Sequence, residues 1–126
     1  MDDKKTTIKQ LKDIADKFVK DRNWGKHHSL KNLAVSIAIE AAELMEHFQW
    51  DELRWEKNKK AVEEELADVL IYCLYFAIEE KIDISKAIEA KLAKAAKKYP
   101  VKIFNGKGKH SEDYWKIKKD YRKKAQ

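Results

Sequence analysis

The spacing of apolar residues along the chain predicts α-helices joined by short polar segments. The predicted helices cover about residues 7–22, 32–50, 57–81 and 85–98. Thr6 or Thr7 is placed to cap the first helix, and Pro100 ends the fourth. A last, weakly amphipathic stretch begins at Ser111. The pattern therefore predicts an all-α fold of four helices followed by a C-terminal tail.

The second predicted helix is apolar on nearly every side. At 100° per residue its polar side chains fall within a strip roughly 80° wide, and only Glu46 lies outside it. The strip consists of Asn32, Ser36, Glu40, Glu43 and His47. A surface helix normally has a broad polar face. We therefore expect this helix to be buried on most sides, with a thin line of ionisable groups facing a special site.

The third predicted helix repeats this arrangement. Counted from Glu65, its strip consists of Asp68, Tyr72, Tyr75 and Glu79. A carboxylate such as Asp68 in an apolar run is costly to bury alone, so it should be protonated, paired with a base, or bound to a metal. Neither residues 32–50 nor residues 61–80 contain a Lys or Arg. The two strips therefore have no basic partner within their own helices.

The acids of the two strips form two pairs at i, i+3 spacing. If the helices pack antiparallel, Glu40 and Glu43 can meet Glu65 and Asp68. Two unit charges ~4 Å apart repel by about 4 kcal/mol at an effective dielectric near 20, so four acids together need a cation. Oxygen ligands alone suit Mg²⁺, with Mn²⁺ as a substitute, so His47 is left outside the predicted metal site. Alternatively, the acids are ordinary solvated helix residues.

Charge and cysteine content add to this picture. The chain has 126 residues and a net charge of +6. Residues 97–126 hold 11 Lys or Arg against 3 acids, while residues 1–96 are slightly acidic. We therefore predict one domain over residues 1–100 and a basic extension over residues 101–126. The lone Cys73 excludes an intrachain disulfide and favours a reducing cytoplasm.

No membrane segment is predicted. The longest apolar run, residues 66–78, is interrupted by Asp68 and is shorter than the roughly 20 residues that span a bilayer. The N-terminus shows no secretory signal. We expect a soluble, cytoplasmic protein.

Several short motifs resemble the MazG-like all-α nucleoside triphosphate pyrophosphohydrolases, in particular the dCTP pyrophosphatase branch. In chain order these are Arg22-Asn23-Trp24, His28, Lys31-Asn32-Leu33-Ala34, Glu40-Ala41-Ala42-Glu43-Leu44, Phe48-Gln49-Trp50, Glu65 to Tyr72, Lys91, and Lys98-Tyr99-Pro100. The resemblance implies a helical bundle completed by dimerisation, in a homodimer or homotetramer. It also implies Mg²⁺-dependent hydrolysis of a deoxynucleoside triphosphate to the monophosphate and pyrophosphate.

The resemblance also implies roles for individual residues. The metal-binding acids correspond to Glu40, Glu43, Glu65 and Asp68. Aromatic residues that enclose the base correspond to Trp24 and Trp50, with His28 and Tyr72 beside them. Phosphate contacts correspond to Lys31 and Lys91. We expect Glu43 to orient the attacking water, although the sequence does not separate it from Glu40, and Lys91 to stabilise the departing pyrophosphate.

Three positions depart from the family pattern. Asn23 replaces an Asp, Leu30 replaces a Pro, and Ala95 stands where relatives carry an Asn. The missing Asn weakens the choice of dCTP more than the choice of reaction.

A different function remains open at the C-terminus. Residues 116–124 are rich in bases and lie among aromatic residues, which is a pattern found in nucleic-acid-binding modules. A lysine-rich end is more often a solubilising tail, and such binding does not require four acids on apolar helices. We therefore do not expect nucleic acid to be the main partner.

Overall fold

The computed structural model describes residues 1–50, 58–106 and 111–125. Within these ranges every regular element is helical, which confirms the predicted all-α fold. The elements are α1 (Ile8–Asp21), a 3₁₀ turn (Gly25–His27), α2 (Leu30–Glu46), α3 (Lys59–Glu79), α4 (Ile84–Lys98), α5 (Val101–Phe104) and α6 (Glu112–Lys124). Among the same residues, no helix is both long and apolar enough to cross a membrane.

Polar side chains cap the starts of α1, α2 and α6. Thr7, one of the two caps that the sequence predicts, forms a capping box with Gln10 at the start of α1. The hydroxyl of Ser29 accepts a hydrogen bond from the Asn32 backbone N–H, so α2 begins two residues earlier than predicted. The hydroxyl of Ser111 accepts one from the Tyr114 N–H at the start of α6.

The second helix ends at Glu46 rather than at Trp50. The backbone N–H of Phe48 donates to the Met45 carbonyl at 2.9 Å, and that of Gln49 donates to the Glu46 carbonyl at 3.4 Å. These i to i−3 bonds tighten the chain and close the helix.

The first compact unit spans residues 1–84 and contains α1, α2 and α3. Its core consists of Ala15, Val19, Leu33, Leu74 and Tyr75. Leu33 near the start of α2 packs with Leu74 late in α3, while His47 after α2 contacts Glu65 early in α3. The two helices are therefore antiparallel, as the acidic strips require.

Large apolar faces of α2 and α3 stay exposed in the single chain. Val35, Ile39, Leu66 and Leu70 are each about half exposed, and Leu33 is the one fully buried residue of α2. The expectation that these helices are buried on most sides is therefore not met within one chain. The reason is that α1 contacts only part of the surface that α2 and α3 offer.

The second unit spans residues 85–126. Tyr99 stacks on Tyr114 with ring centroids 5.4 Å apart, and the Lys98 ammonium lies over the rings of Tyr99 and Tyr121. Lys118 lies similarly over Tyr114 and Trp115. Aromatic and cation–π contacts thus join the end of α4 to α6. The predicted domain boundary at residue 100 stays a prediction.

Candidate functional site

Three carboxylates of the first unit converge between α2 and α3. One ligand oxygen from each of Glu40, Glu43 and Glu65 lies within 4.8 Å of the other two. Glu40 and Glu43 share a face of α2 because they are three residues apart, and the antiparallel α3 brings Glu65 against that face. The predicted meeting of the two acidic strips is therefore present at these three positions.

The surroundings of Glu40 raise the pKa of its carboxyl group. Partial burial raises the pKa of the Glu40 carboxyl first, and the negative charges of Glu43, Asp68 and Glu65 raise it further. A hydrogen bond to the Glu43 side chain acts in the same direction. Each effect favours the protonated form of Glu40, so the cluster gains from a positive charge placed among its oxygens.

Asp68 stands apart from the three converging acids. Its side chain is exposed in the single chain, although its charge is close enough to act on Glu40. The sequence argument against burying an isolated Asp68 therefore does not apply within one chain. Its role as a fourth metal ligand stays a prediction.

The chemistry of the three converging acids fits a divalent cation. All three donors are carboxylate oxygens, two come from one rigid helix and the third from its neighbour, and they lie close enough to share an ion. Clustered exposed acids also occur without metals, but the oxygens of these three lie within 4.8 Å of one another, a distance at which their negative charges repel. Glu40, Glu43 and Glu65 can therefore hold a divalent metal.

A cavity of about 520 Å³ opens beside the acids. It is lined by Glu43, Glu46, His47, Gln49, Trp50 and Glu65. The Nε2 atom of His47 lies 3.8 Å from Oε1 of Glu65, and both side chains are roughly three-quarters buried. His47 was left outside the predicted metal site, although its place in the α2 strip was the signal that put it beside the acids.

A second cavity, of about 440 Å³, lies between α1 and α3. Its apolar lining includes Leu11, Ile14, Phe18, Val19, Ile71 and Leu74. Trp24, His28 and Tyr72 also line it, together with Asp68. The same three residues line an adjoining cavity of about 290 Å³. Three of the predicted substrate-binding residues are thus together, and Asp68 joins their cavity to the acidic region.

Aromatic contacts fix the walls of this second cavity. The His28 ring lies 4.8 Å from that of Tyr75, which in turn packs edge-on against Tyr72 at 5.8 Å. His28 is half-buried, which favours a pocket role over a solvated loop position. Tyr75 was assigned only to the polar strip by the sequence pattern, but it is a core residue whose burial raises the pKa of its hydroxyl.

Neighbouring side chains pack around Trp24. Its ring packs edge-on against Phe18 at 5.9 Å, and the Arg22 guanidinium lies 3.6 Å from the Phe18 ring centroid. Arg22 and Phe18 were not singled out from the sequence as site residues. Their i, i+4 spacing at the end of α1, with Arg22 as its C-cap, was the available signal.

The other predicted site residues lie elsewhere. Trp50 lines the cavity beside the acids and is 83% exposed, so the two tryptophans line separate cavities. Lys31 is exposed on the first turn of α2. Lys91 is exposed on α4 in the second unit. The expected roles of both lysines stay predictions.

Comparison with known proteins identifies the family that shares the helices carrying the three acids. Residues 35–116, which are more than half of the chain, match the model of the MazG-like family. The chain belongs to the MazG-like family. The matched residues include α2 from Val35 onward, all of α3 and all three converging acids.

Individual relatives of this MazG-like chain are pyrophosphatases by name. It is 31% identical over 107 residues to dCTP pyrophosphatase 1 of Rattus norvegicus, covering 79% of the chain and 63% of that protein. The human protein of the same name is 29% identical over 104 residues, covering 77% and 61%. The chain thus spans about three fifths of the length of these curated relatives.

A solved structure is similar to the chain in both fold and sequence. A crystal structure of a pyrophosphatase from Archaeoglobus fulgidus has a TM-score of 0.71 and 44% identity. The match covers 74% of this chain and 92% of that one. The helical arrangement of this MazG-like chain is therefore shared with a pyrophosphatase.

Proposed function

We propose that this MazG-like chain is a nucleoside triphosphate pyrophosphohydrolase. It hydrolyses a deoxynucleoside triphosphate, dCTP or a related one, to the monophosphate and pyrophosphate. The observation that carries this proposal is the meeting of Glu40, Glu43 and Glu65 within 4.8 Å, next to two cavities that contain aromatic residues. The names of the relatives support the same reaction.

The acids bind the divalent cation and orient water. Glu40, Glu43 and Glu65 supply the oxygen donors, with Asp68 as a fourth acid, and Mg²⁺ is the cation that such donors favour, with Mn²⁺ as a substitute. When bound, Mg²⁺ neutralises charge that develops on the phosphate oxygens. Glu43 lines the cavity beside the cluster, so its carboxylate can accept a hydrogen bond from a water in that cavity.

The bond changes follow from pyrophosphohydrolysis. The water oxygen forms a bond to the α-phosphorus, the bond from that phosphorus to the α–β bridging oxygen breaks, and pyrophosphate leaves. Glu43 orients the water and accepts the proton that the water loses on attack. Lys31 and Lys91 contribute positive charge toward the phosphate chain.

The nucleobase occupies the cavity between α1 and α3. Trp24, His28 and Tyr72 provide flat surfaces there, and base–aromatic stacking contributes ~1–3 kcal/mol per base. Trp50 covers the nucleotide from the cavity beside the acids. Asp68 lines the base cavity and acts electrostatically on Glu40, so the two regions are close enough for one nucleotide.

The active form is a homodimer or homotetramer in the cytoplasm. The half-exposed apolar residues on α2 and α3 support a second copy as the cover of those faces. The lone Cys73 supports a reducing compartment.

Nucleic-acid binding by the basic end is the less favoured function. Lys98 and Lys118 already lie over rings of Tyr99, Tyr114 and Tyr121, so these aromatic faces are in contact with cations of the same chain. Base stacking would have to displace those contacts.

The deciding experiment is a substrate screen with pyrophosphate as the readout. The chain is incubated with each dNTP and NTP, with Mg²⁺ and with EDTA. We expect Mg²⁺-dependent release of pyrophosphate, with dCTP among the preferred substrates. Release of inorganic phosphate alone, or no release from any nucleotide, would contradict the proposal.

A further inference from the structure

His47 lies beside the acidic cluster at the end of α2. It is the C-cap residue of that helix and follows Glu43 by four positions, so both side chains lie on one helix face. Its Nε2 atom is 3.8 Å from Oε1 of Glu65 on α3. The His47 imidazole, at the end of α2, thus reaches across to Glu65 on α3.

The distance between His47 and Glu65 and the burial of both side chains indicate how they interact. A distance of 3.8 Å is slightly too long for a direct hydrogen bond, and a small rotation of either side chain brings the nitrogen within donor range of the carboxylate. The side chains are only 21% and 25% exposed, so solvent screens the contact less than it screens the α1 surface pairs. His47 can therefore restrain the Glu65 carboxylate.

Such a restraint is useful at this position. The other close neighbours of Glu65 in the cluster are Glu40 and Glu43, and their charges repel its carboxylate. A nitrogen donor on another side of Glu65 opposes its displacement. Carboxylate ligands in metal sites are commonly held in this way by a further polar group, and losing that group costs about 10–100-fold in metal affinity or activity.

We propose that His47 is a positioning residue of the metal site and holds the Glu65 carboxylate toward Glu40 and Glu43. The inference rests on the proposed function for its metal, but not on which nucleotide is hydrolysed. It assigns a role to a residue that binds neither the cation nor the substrate directly. His47 acts through Glu65, and this dependence is what an experiment can measure.

The test is Mn²⁺ binding measured by electron paramagnetic resonance, without any nucleotide. It uses the full-length wild type, His47→Leu, Glu65→Gln and the double variant. We expect His47→Leu to weaken Mn²⁺ binding about tenfold when Glu65 is intact. In the Glu65→Gln background the same change should have less than a twofold further effect, because the carboxylate that His47 positions is gone.

A conservative variant and a spectroscopic signature complete the design. His47→Gln keeps an N–H donor and should recover part of the lost affinity, while circular dichroism checks that each variant is folded. A ¹⁴N coupling to Mn²⁺ that disappears in His47→Leu would overturn the proposal, because His47 would then be a ligand. Unchanged affinity in His47→Leu, an equal loss in both backgrounds, or no Mn²⁺ binding by the wild type would also overturn it.

The proposed function can fail separately. If the wild type releases no pyrophosphate but binds Mn²⁺ with the expected dependence on His47 and Glu65, the reaction is wrong and the positioning role stands.

Discussion

Glu40 and Glu43 lie one helical turn apart on α2, and their carboxylate oxygens are within 4.8 Å of each other. Two carboxylates this close repel each other, and a proton on one of them removes that repulsion. Burial raises the pKa of Glu40 most, followed by the charge of Glu43, so the proton is favoured at this position. A cation that binds the cluster therefore competes with a proton.

Removing one acid should stop the reaction without unfolding the protein. We expect Glu43→Gln and Asp68→Asn each to reduce pyrophosphate release to near the detection limit at saturating Mg²⁺. The metal-free fold should be unchanged or more stable, because each substitution relieves repulsion among the acids. The measurements are turnover with dCTP and thermal unfolding in EDTA.

Glu63 offers a matched control for these variants. It lies on α3, is exposed, and pairs with Lys59 at 3.9 Å, away from the three converging oxygens. Glu63→Gln should keep near-normal turnover. Near-normal turnover in Glu43→Gln or Asp68→Asn would instead count against their catalytic placement.

The pKa of Glu40 predicts how pH affects the metal-free protein. Because the folded-state pKa is raised above 4.5, the folded chain holds more protons than the unfolded chain between these two values. Stability should therefore fall as pH rises through this window. Glu40→Gln should flatten the fall and exceed the wild type in stability above it. Urea unfolding in EDTA across the weakly acidic range checks this, and parallel curves for the two proteins would contradict it.

The sequence predicted local features well and distant relationships less well. The cap at Thr7 followed from local residue preference, and the shared face of Glu40 and Glu43 followed from helical periodicity, which depends only on neighbouring residues. The meeting of these acids with Glu65 also required the antiparallel packing of α2 and α3. The burial of Tyr75 and the contact of His28 with it could not be predicted, because they depend on how α1 and the 3₁₀ turn pack against α3. Periodicity gives the face of a residue but not its neighbour on another helix.

The exposed apolar faces predict self-association. Leu70 is 55% exposed and Val35 is 49% exposed, on helices that are apolar nearly all round. We expect light scattering to show a dimer or tetramer at micromolar concentration. Leu70→Glu should shift the population to monomer, because it places a charge in an apolar contact. Lys9→Glu on the exposed surface of α1 serves as the charge control and should leave the assembly intact. A wild type that stays monomeric would refute the prediction.

Ala95 on α4 predicts loose selection among nucleotides. The resemblance to the family leads us to expect an Asn at this position, so we expect this chain to lack one polar contact to the nucleotide. Restoring the amide in Ala95→Asn should raise the ratio of kcat/KM for dCTP over dTTP, because a hydrogen-bonding group discriminates between base edges. An unchanged ratio in Ala95→Asn would contradict this explanation of selectivity.

The two tryptophans of the first unit should contribute to nucleotide affinity. Trp24→Ala and Trp50→Ala should each raise KM for the preferred dNTP roughly tenfold or more, since ~1–3 kcal/mol of stacking is lost. The change in kcat should be smaller, because stacking is shared by the ground and transition states while the reaction takes place at the phosphates. Trp115→Ala is the matched control. Trp115 lies in the second unit, is 52% exposed and contacts the Lys118 ammonium. Its loss should leave KM unchanged. An unchanged KM in Trp50→Ala beside a raised KM in Trp24→Ala would confine base stacking to the cavity between α1 and α3, where Trp24 already packs against Phe18.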